Sequence, residues 1–155
     1  MSTKYINIYN NLIILTRNKE LYKDFKSQDT FSDRLIFFLL HFAFFLKIYK
    51  KDNNKELMQE IYDYIFRQIE LSIREIGYGD ASINKKMKTY INTFYSILDK
   101  IDNWENLSIS DKVNIVSNFI NISGDKLNLV KYFDNYLLNL SNNTLNYYIK
   151  GVIKP

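Results

Sequence analysis

The sequence predicts an all-α fold: a single compact domain of six or seven helices over residues 1–155. Three observations carry this. Apolar residues recur at spacings of three and four along most of the chain, which is the helical period. The chain has only four glycines and one proline, Pro155 at its very end, so the breakers of a turn-rich β-sandwich are missing. Hydrophobic residues make up 46% of 155 positions, enough to fill the core of one domain.

Each element has its own reason. Tyr5, Ile8, Tyr9, Leu12, Ile13 and Leu15 place an amphipathic helix over residues 5–16. Asn18 is a cap for a short helix through Phe25. Thr30 followed by Asp33 resembles a capping box and opens a helix running to about Lys50. Asp52, Asn53 and Asn54 interrupt the pattern. The next helix spans about Lys55 to Ile76, with Leu57, Ile61, Ile65, Ile69 and Ile76 along one face. Gly77 stands where a left-handed C-terminal glycine belongs. Asp80 or Ser82 caps the following helix, whose stripe is Ile83, Met87, Tyr90/Ile91, Phe94, Leu98 and Ile101. A loop over 102–108 holds the one tryptophan, Trp104. Ser110 caps a helix through Ile122, with Val113, Val116, Phe119 and Ile120 inward. Gly124 punctuates. Leu127, Val130, Phe133, Leu137 and Leu140 define another helix, Asn142 and Asn143 end it, and Thr144–Lys150 is a short terminal turn or helix.

Composition removes whole classes of function. There is no cysteine, so disulfides, thiolate catalysis and sulfur-ligated metal sites are excluded. The one histidine, His41, cannot build a two-histidine metal site. Neither a cofactor nor a metal is expected. The excess of 17 Lys over 4 Arg and the 19 Asn are the residues of A/T-rich codons. The asparagines are scattered among periodic apolar residues, which argues against a prion-like tract. Net charge is +4, shared evenly between the two halves, with neither a basic nor an acidic tail.

The N-terminus lacks the charged, apolar and small-residue regions of a secretory signal. The most apolar stretch is Leu35–Leu46, broken only by His41. As a helix it rises about 18 Å, short of the roughly 30 Å of bilayer hydrocarbon. It reads as a central core helix, or in part as the floor of a groove for an apolar helix of a partner. A cytoplasmic protein, or one peripheral to a membrane, is expected.

The most informative stretch lies between residues 66 and 95. Glu70, Ile73, Arg74, Glu75, Ile76, Gly77, Gly79 and Asp80 run in order, followed by Lys85-Lys86-Met87-Lys88 and Phe94-Tyr95. Upstream stand Asp29-Thr30, Arg34 and Leu40-His41. In these residues the chain resembles the ubiquinol–cytochrome c chaperone family over about residues 20–100. That family shows an acid, two spacers, an aliphatic residue, Arg-Glu, an apolar residue and Gly-x-Gly-Asp, then a basic Met-Lys cluster and Phe-Tyr. The chain departs at Asn84, Gln68 and Ser96-Ile97, where the family favours a glycine, an acid and Gly-Arg. The departures leave the Arg-Glu-x-Gly-x-Gly-Asp core untouched. The resemblance implies a bacterial assembly chaperone for cytochrome b of respiratory complex III, the bc1 complex. It implies a membrane-protein client, and work in the cytoplasm or at the inner face of the inner membrane. A ribosome or membrane surface and a small helical partner protein are compatible contacts. DNA is not.

The residues themselves bear simpler readings too. Gly77-Tyr78-Gly79 follows no strand and precedes no third glycine, so it is a turn between helices and not a dinucleotide loop. Arg34 and His41 lie seven apart on one stripe. His41 reads as a core histidine bonded to a carboxylate or carbonyl, because an unpartnered polar group there is costly. Arg34, Glu70, Arg74, Glu75 and Asp80 are its expected companions in a structural polar network. Lys85, Lys86 and Lys88 sit in the first turns of a helix, where cations oppose the macrodipole. They are either a solvated face or the basic rim of a site for an anionic partner, with Phe94 and Tyr95 as its apolar floor. No nucleophile–base pair or phosphate loop is visible, so a non-enzymatic binding protein is expected. The alternative is a helical carrier or enzyme enclosing an apolar, lipid- or quinone-like ligand, which an apolar pocket with Arg34 or His41 at its mouth would favour.

Overall fold

Residues 4–22, 31–51, 54–120 and 126–151 are described by the computed structural model. Among them are seven α-helices, two single 3-10 turns and no strand. The helices are α1 (Ile6–Thr16), α2 (Phe31–Tyr49), α3 (Lys55–Ile76), α4 (Asp80–Ile101), α5 (Ile109–Phe119), α6 (Leu127–Ser141) and α7 (Leu145–Lys150).

Helix α2 is the axis of the fold. Every residue from Phe37 to Lys47 is buried, as expected of a helix that is apolar all round. Helices α1, α4 and α6 pack directly on it. The contacts are largely aromatic. Phe42 stacks on Phe94 of α4 with centroids 5.2 Å apart. Phe44 stacks on Phe133 of α6 at 5.1 Å and meets the edge of Trp104. Each such ring removed from water contributes about 1.5–3 kcal/mol. The chain ends are tied together where Asn7 Nδ2 donates to the Ile149 carbonyl at 2.9 Å.

Capping follows local chemistry, with two departures from the sequence reading. Asn54 accepts the Leu57 amide and starts α3. Thr144 accepts the Tyr147 amide and starts α7. Helix α5 begins earlier than expected: Ser108, not Ser110, accepts the Asp111 amide. It also ends at Phe119, because Ile120 turns extended. Ile115 joins Val116 and Ile120 in the core, while Val113 and Phe119 are half-buried. At α4 the cap position belongs to Gly79, and neither Asp80 nor Ser82 caps it. Asp80 is the first helical residue, and its carboxylate is engaged elsewhere. Asn18 caps a 3-10 turn over Lys19–Leu21. The extension to Phe25, the Thr30 cap, the Asp29-Thr30 pair and Gly124 lie outside the described residues.

Candidate functional site

Helices α3 and α4 form a long hairpin, and the motif residues sit at its turn. Gly77 ends α3 with φ of +104°, a conformation that L side chains rarely adopt. Across the turn, Arg74 Nη1 donates to Asp80 Oδ1 at 2.7 Å. Arg74 Nε lies 3.7 Å from Glu70, which also pairs with Arg67. This clamp is at the surface, since the Asp80 side chain is 84% exposed. Exposed pairs of this kind contribute about 0–1 kcal/mol each. The clamp's value lies in holding the turn between two 22-residue helices.

One turn into α4 the lysines appear. Lys85 and Lys88 are exposed and Lys86 is half-buried. The Lys86 ammonium lies 4.5 Å above the Tyr78 ring, an attractive cation–π position. Lys85 and Lys86 line a shallow depression with Ser82, Thr89 and Tyr90. The Tyr90 hydroxyl is 3.3 Å from Ser32 Oγ in the first turn of α2.

The aromatic pair expected as an apolar floor divides. Tyr95 is 55% exposed, whereas Phe94 is fully buried against Phe42 and Phe66. Phe94 follows Lys85 by nine positions, which is half a turn out of phase on a helix. It therefore points into the core and is not a surface for a partner. Tyr95 follows Lys88 by seven positions and shares its stripe. The Tyr95 ring leans on Tyr62 of α3 at 6.1 Å. Burial, and next the hydrogen bond with Tyr95, pushes the Tyr62 hydroxyl well above the ordinary phenol range.

The expected polar network also divides. His41 does not meet Glu70, Arg74, Glu75 or Asp80. It faces α6 instead. Its Nδ1 lies 2.7 Å from the Phe37 carbonyl, and its Nε2 lies 2.6 Å from the Tyr132 hydroxyl. A carbonyl only accepts, so Nδ1 carries the proton, and Nε2 of the neutral ring accepts from Tyr132. The Tyr136 hydroxyl donates to the His41 carbonyl at 3.1 Å. Rings of Tyr132, Phe133 and Tyr136 surround the imidazole at 5.0–5.5 Å. Burial lowers its pKa to about 4, so it is uncharged at neutral pH. Glu75 is exposed near the end of α3, and Arg34 is exposed in the first turn of α2.

Sequence reasoning missed three participants. Tyr132 completes the histidine's hydrogen bonding. Lys47 is 3% exposed, with its ammonium bonded to the Asp102 carbonyl and paired with Glu105. Asp134 accepts from both Trp104 Nε1 at 2.8 Å and Lys112 at 3.0 Å. All three partnerships span 30 or more positions in sequence for at least one contact, so no local spacing signals them.

Among the described residues, no three His, Asp or Glu side chains gather to hold a metal. No described helix is long and apolar enough to cross a membrane. A rigid helical hairpin with a clamped turn and a basic face defines a helical binding protein. The chain belongs to the ubiquinol-cytochrome c chaperone family, whose model matches residues 23–106, more than half of its length. It is thus a chaperone and not an enzyme. The crystal structure of the Cbp3 homolog from Brucella abortus superposes with a TM-score of 0.72 at 21% identity, over 97% of this chain and 87% of that one. At that identity the likeness shows the shared fold. No curated protein matches the chain.

Proposed function

We propose that the chain is an assembly chaperone for a cytochrome b-type membrane subunit, assisting formation of the respiratory bc1 complex. It works as one domain in the bacterial cytoplasm, at the inner face of the inner membrane. The observation that carries this reading is the surface of α4: Lys85, Lys86 and Lys88 stand exposed or half-exposed, with Tyr95 exposed two turns further on. They sit immediately after the turn that holds the family's motif. Lysines placed against the helix dipole are explained by an anionic partner that they steer, and Tyr95 supplies apolar area beside them. The same face suits a membrane surface or the ribosome, where the subunit emerges. A small helical partner protein fits the remaining hairpin surface.

The test is site-specific photo-crosslinking in cells. A photoreactive residue replaces Tyr95 in one strain and Leu138, 65% exposed on α6, in another. The reading expects a cytochrome b-type adduct from position 95 and none from position 138. Equal yields from the two positions, or no such adduct, would overturn it.

A further inference from the structure

Between α1, α2 and α3 lies a cavity of about 250 Å³. Its apolar walls include Ile13, Leu35, Phe38 and Ile69, and Arg17 and Arg34 stand among its lining residues. Both arginines are exposed, so they mark the mouth. Among the described residues that line it, none is acidic.

The hydroxyls inside decide what the cavity accepts. Thr16 Oγ1 donates to the Leu12 carbonyl at 2.8 Å. Ser72 Oγ donates to the Gln68 carbonyl at 3.0 Å. With that proton committed, Tyr9 donates to Ser72 across 3.3 Å. All three lining hydroxyls thus spend their protons on the protein. The interior offers a ligand only apolar contact, and the guanidiniums at the mouth are the donors left for its head. A quinone, whose ring carbonyls need donors inside, fits poorly. A neutral polar molecule has the same difficulty.

We infer that this cavity binds an amphiphile with an anionic head: a carboxylate or phosphate held at Arg17 and Arg34, and a single acyl chain inside. Planar guanidinium forks match both head groups. At roughly 30 Å³ per water-sized group, the volume takes about eight chain carbons. The site is separate from the α4 face and does not rest on the chaperone's client. The two regions are nonetheless neighbours through the first turn of α2. Phe31 lines this cavity, and Ser32 meets Tyr90 of the lysine-lined depression.

The experiment is calorimetric titration of the full chain with four probes. They are decanoate, dihexanoyl-phosphatidic acid, 1-decanol and inorganic phosphate. Saturable binding of one molecule of decanoate or of the phosphatidic acid per chain is expected, and whichever binds tighter identifies a free acid or a lipid as the source. Decanol should bind at least tenfold more weakly, and phosphate should give no saturable heat. The Arg17→Gln/Arg34→Gln variant should melt normally and lose tenfold or more in affinity. Ser72→Phe and Ile13→Trp each fill the cavity, and whichever of them retains the wild-type helical spectrum should abolish binding. The inference is overturned if decanol matches decanoate, or if the arginine variant binds as wild type does. It is equally overturned if a folded, filled variant still binds, or if neither anionic probe binds below its micellar concentration.

Discussion

The Tyr132 hydroxyl donates to His41 Nε2 across 2.6 Å, joining two helices whose partners lie 91 positions apart in the chain. This bond makes a prediction about acid. Burial holds the folded-state pKa of His41 near 4, against an ordinary 6.5. Between those values the unfolded chain binds the proton and the folded chain does not. The histidine's contribution is therefore complete above about pH 6.5 and drains away as pH falls towards 4. The slope is about 1.4 kcal/mol per pH unit inside that window. His41→Phe should be less stable by about 1–3 kcal/mol at pH 7, because the Tyr132 hydroxyl loses its acceptor. It should also show a shallower loss on acidification. Urea unfolding of both proteins at pH 7, 5.5 and 4.5 checks this. Parallel pH profiles would mean that His41 titrates normally.

Gly77 gives a cleaner backbone test. A Cβ built there meets nothing within 4 Å, so any cost of substitution is conformational and not steric. Gly77→Val should destabilise by about 1–2 kcal/mol. Gly77→Asn should cost less, because asparagine tolerates the left-handed region. Equal melting temperatures for the two variants would show that the positive φ is not what matters.

Trp104 is fully buried and reports on its own anchor, Asp134. Asp134→Ala removes the acceptor of the indole N–H and the partner of Lys112 together. The expected loss is about 1–3 kcal/mol, with a change in the tryptophan emission maximum of the native state. Asp134→Asn keeps an acceptor for the indole and should lose less. Denaturant curves followed by tryptophan fluorescence decide it.

Reversing the charge of Lys85, Lys86 and Lys88 together should separate binding from folding. Each lysine near an anionic surface contributes about 1 kcal/mol. The triple Lys→Glu variant should lose association with anionic vesicles or client by well over tenfold at low salt, and the difference should shrink at high salt. Its melting temperature should hold or rise slightly, because acids in the first turns of a helix suit the macrodipole. Undiminished, salt-independent capture would reduce the cluster to a solvated face.

The fold was legible because its determinants are local. The stripe of Ile83, Met87 and Phe94 specifies a helix whatever it packs against, and Gly77 announces its turn. The family motif was legible for the same reason: its residues are contiguous, and they build one contiguous hairpin. The site was harder. Phe94 and Tyr95 are adjacent in sequence but point 100° apart on a helix, and only one of them could remain outside. The motif acids were misassigned to His41 because pairing of a buried polar group is a demand that sequence states without naming the partner. Tyr132 answers it from α6. The cap of α5 slipped by two positions because Ser108 and Ser110 are equally good acceptors, and only the path of the chain after Trp104 selects between them.

The burial of α2 on every side has a consequence for the order of synthesis. This helix leaves the ribosome before α4 and α6 exist, yet Phe42 is covered by α4, and His41 and Phe44 by α6. Until residue 140 or so has been made, a flank of aromatic rings stays open to water. Chains released early are then themselves exposed apolar helices, prone to aggregate. A protein whose family guards the hydrophobic segments of others passes through a stage in which its own axis needs guarding.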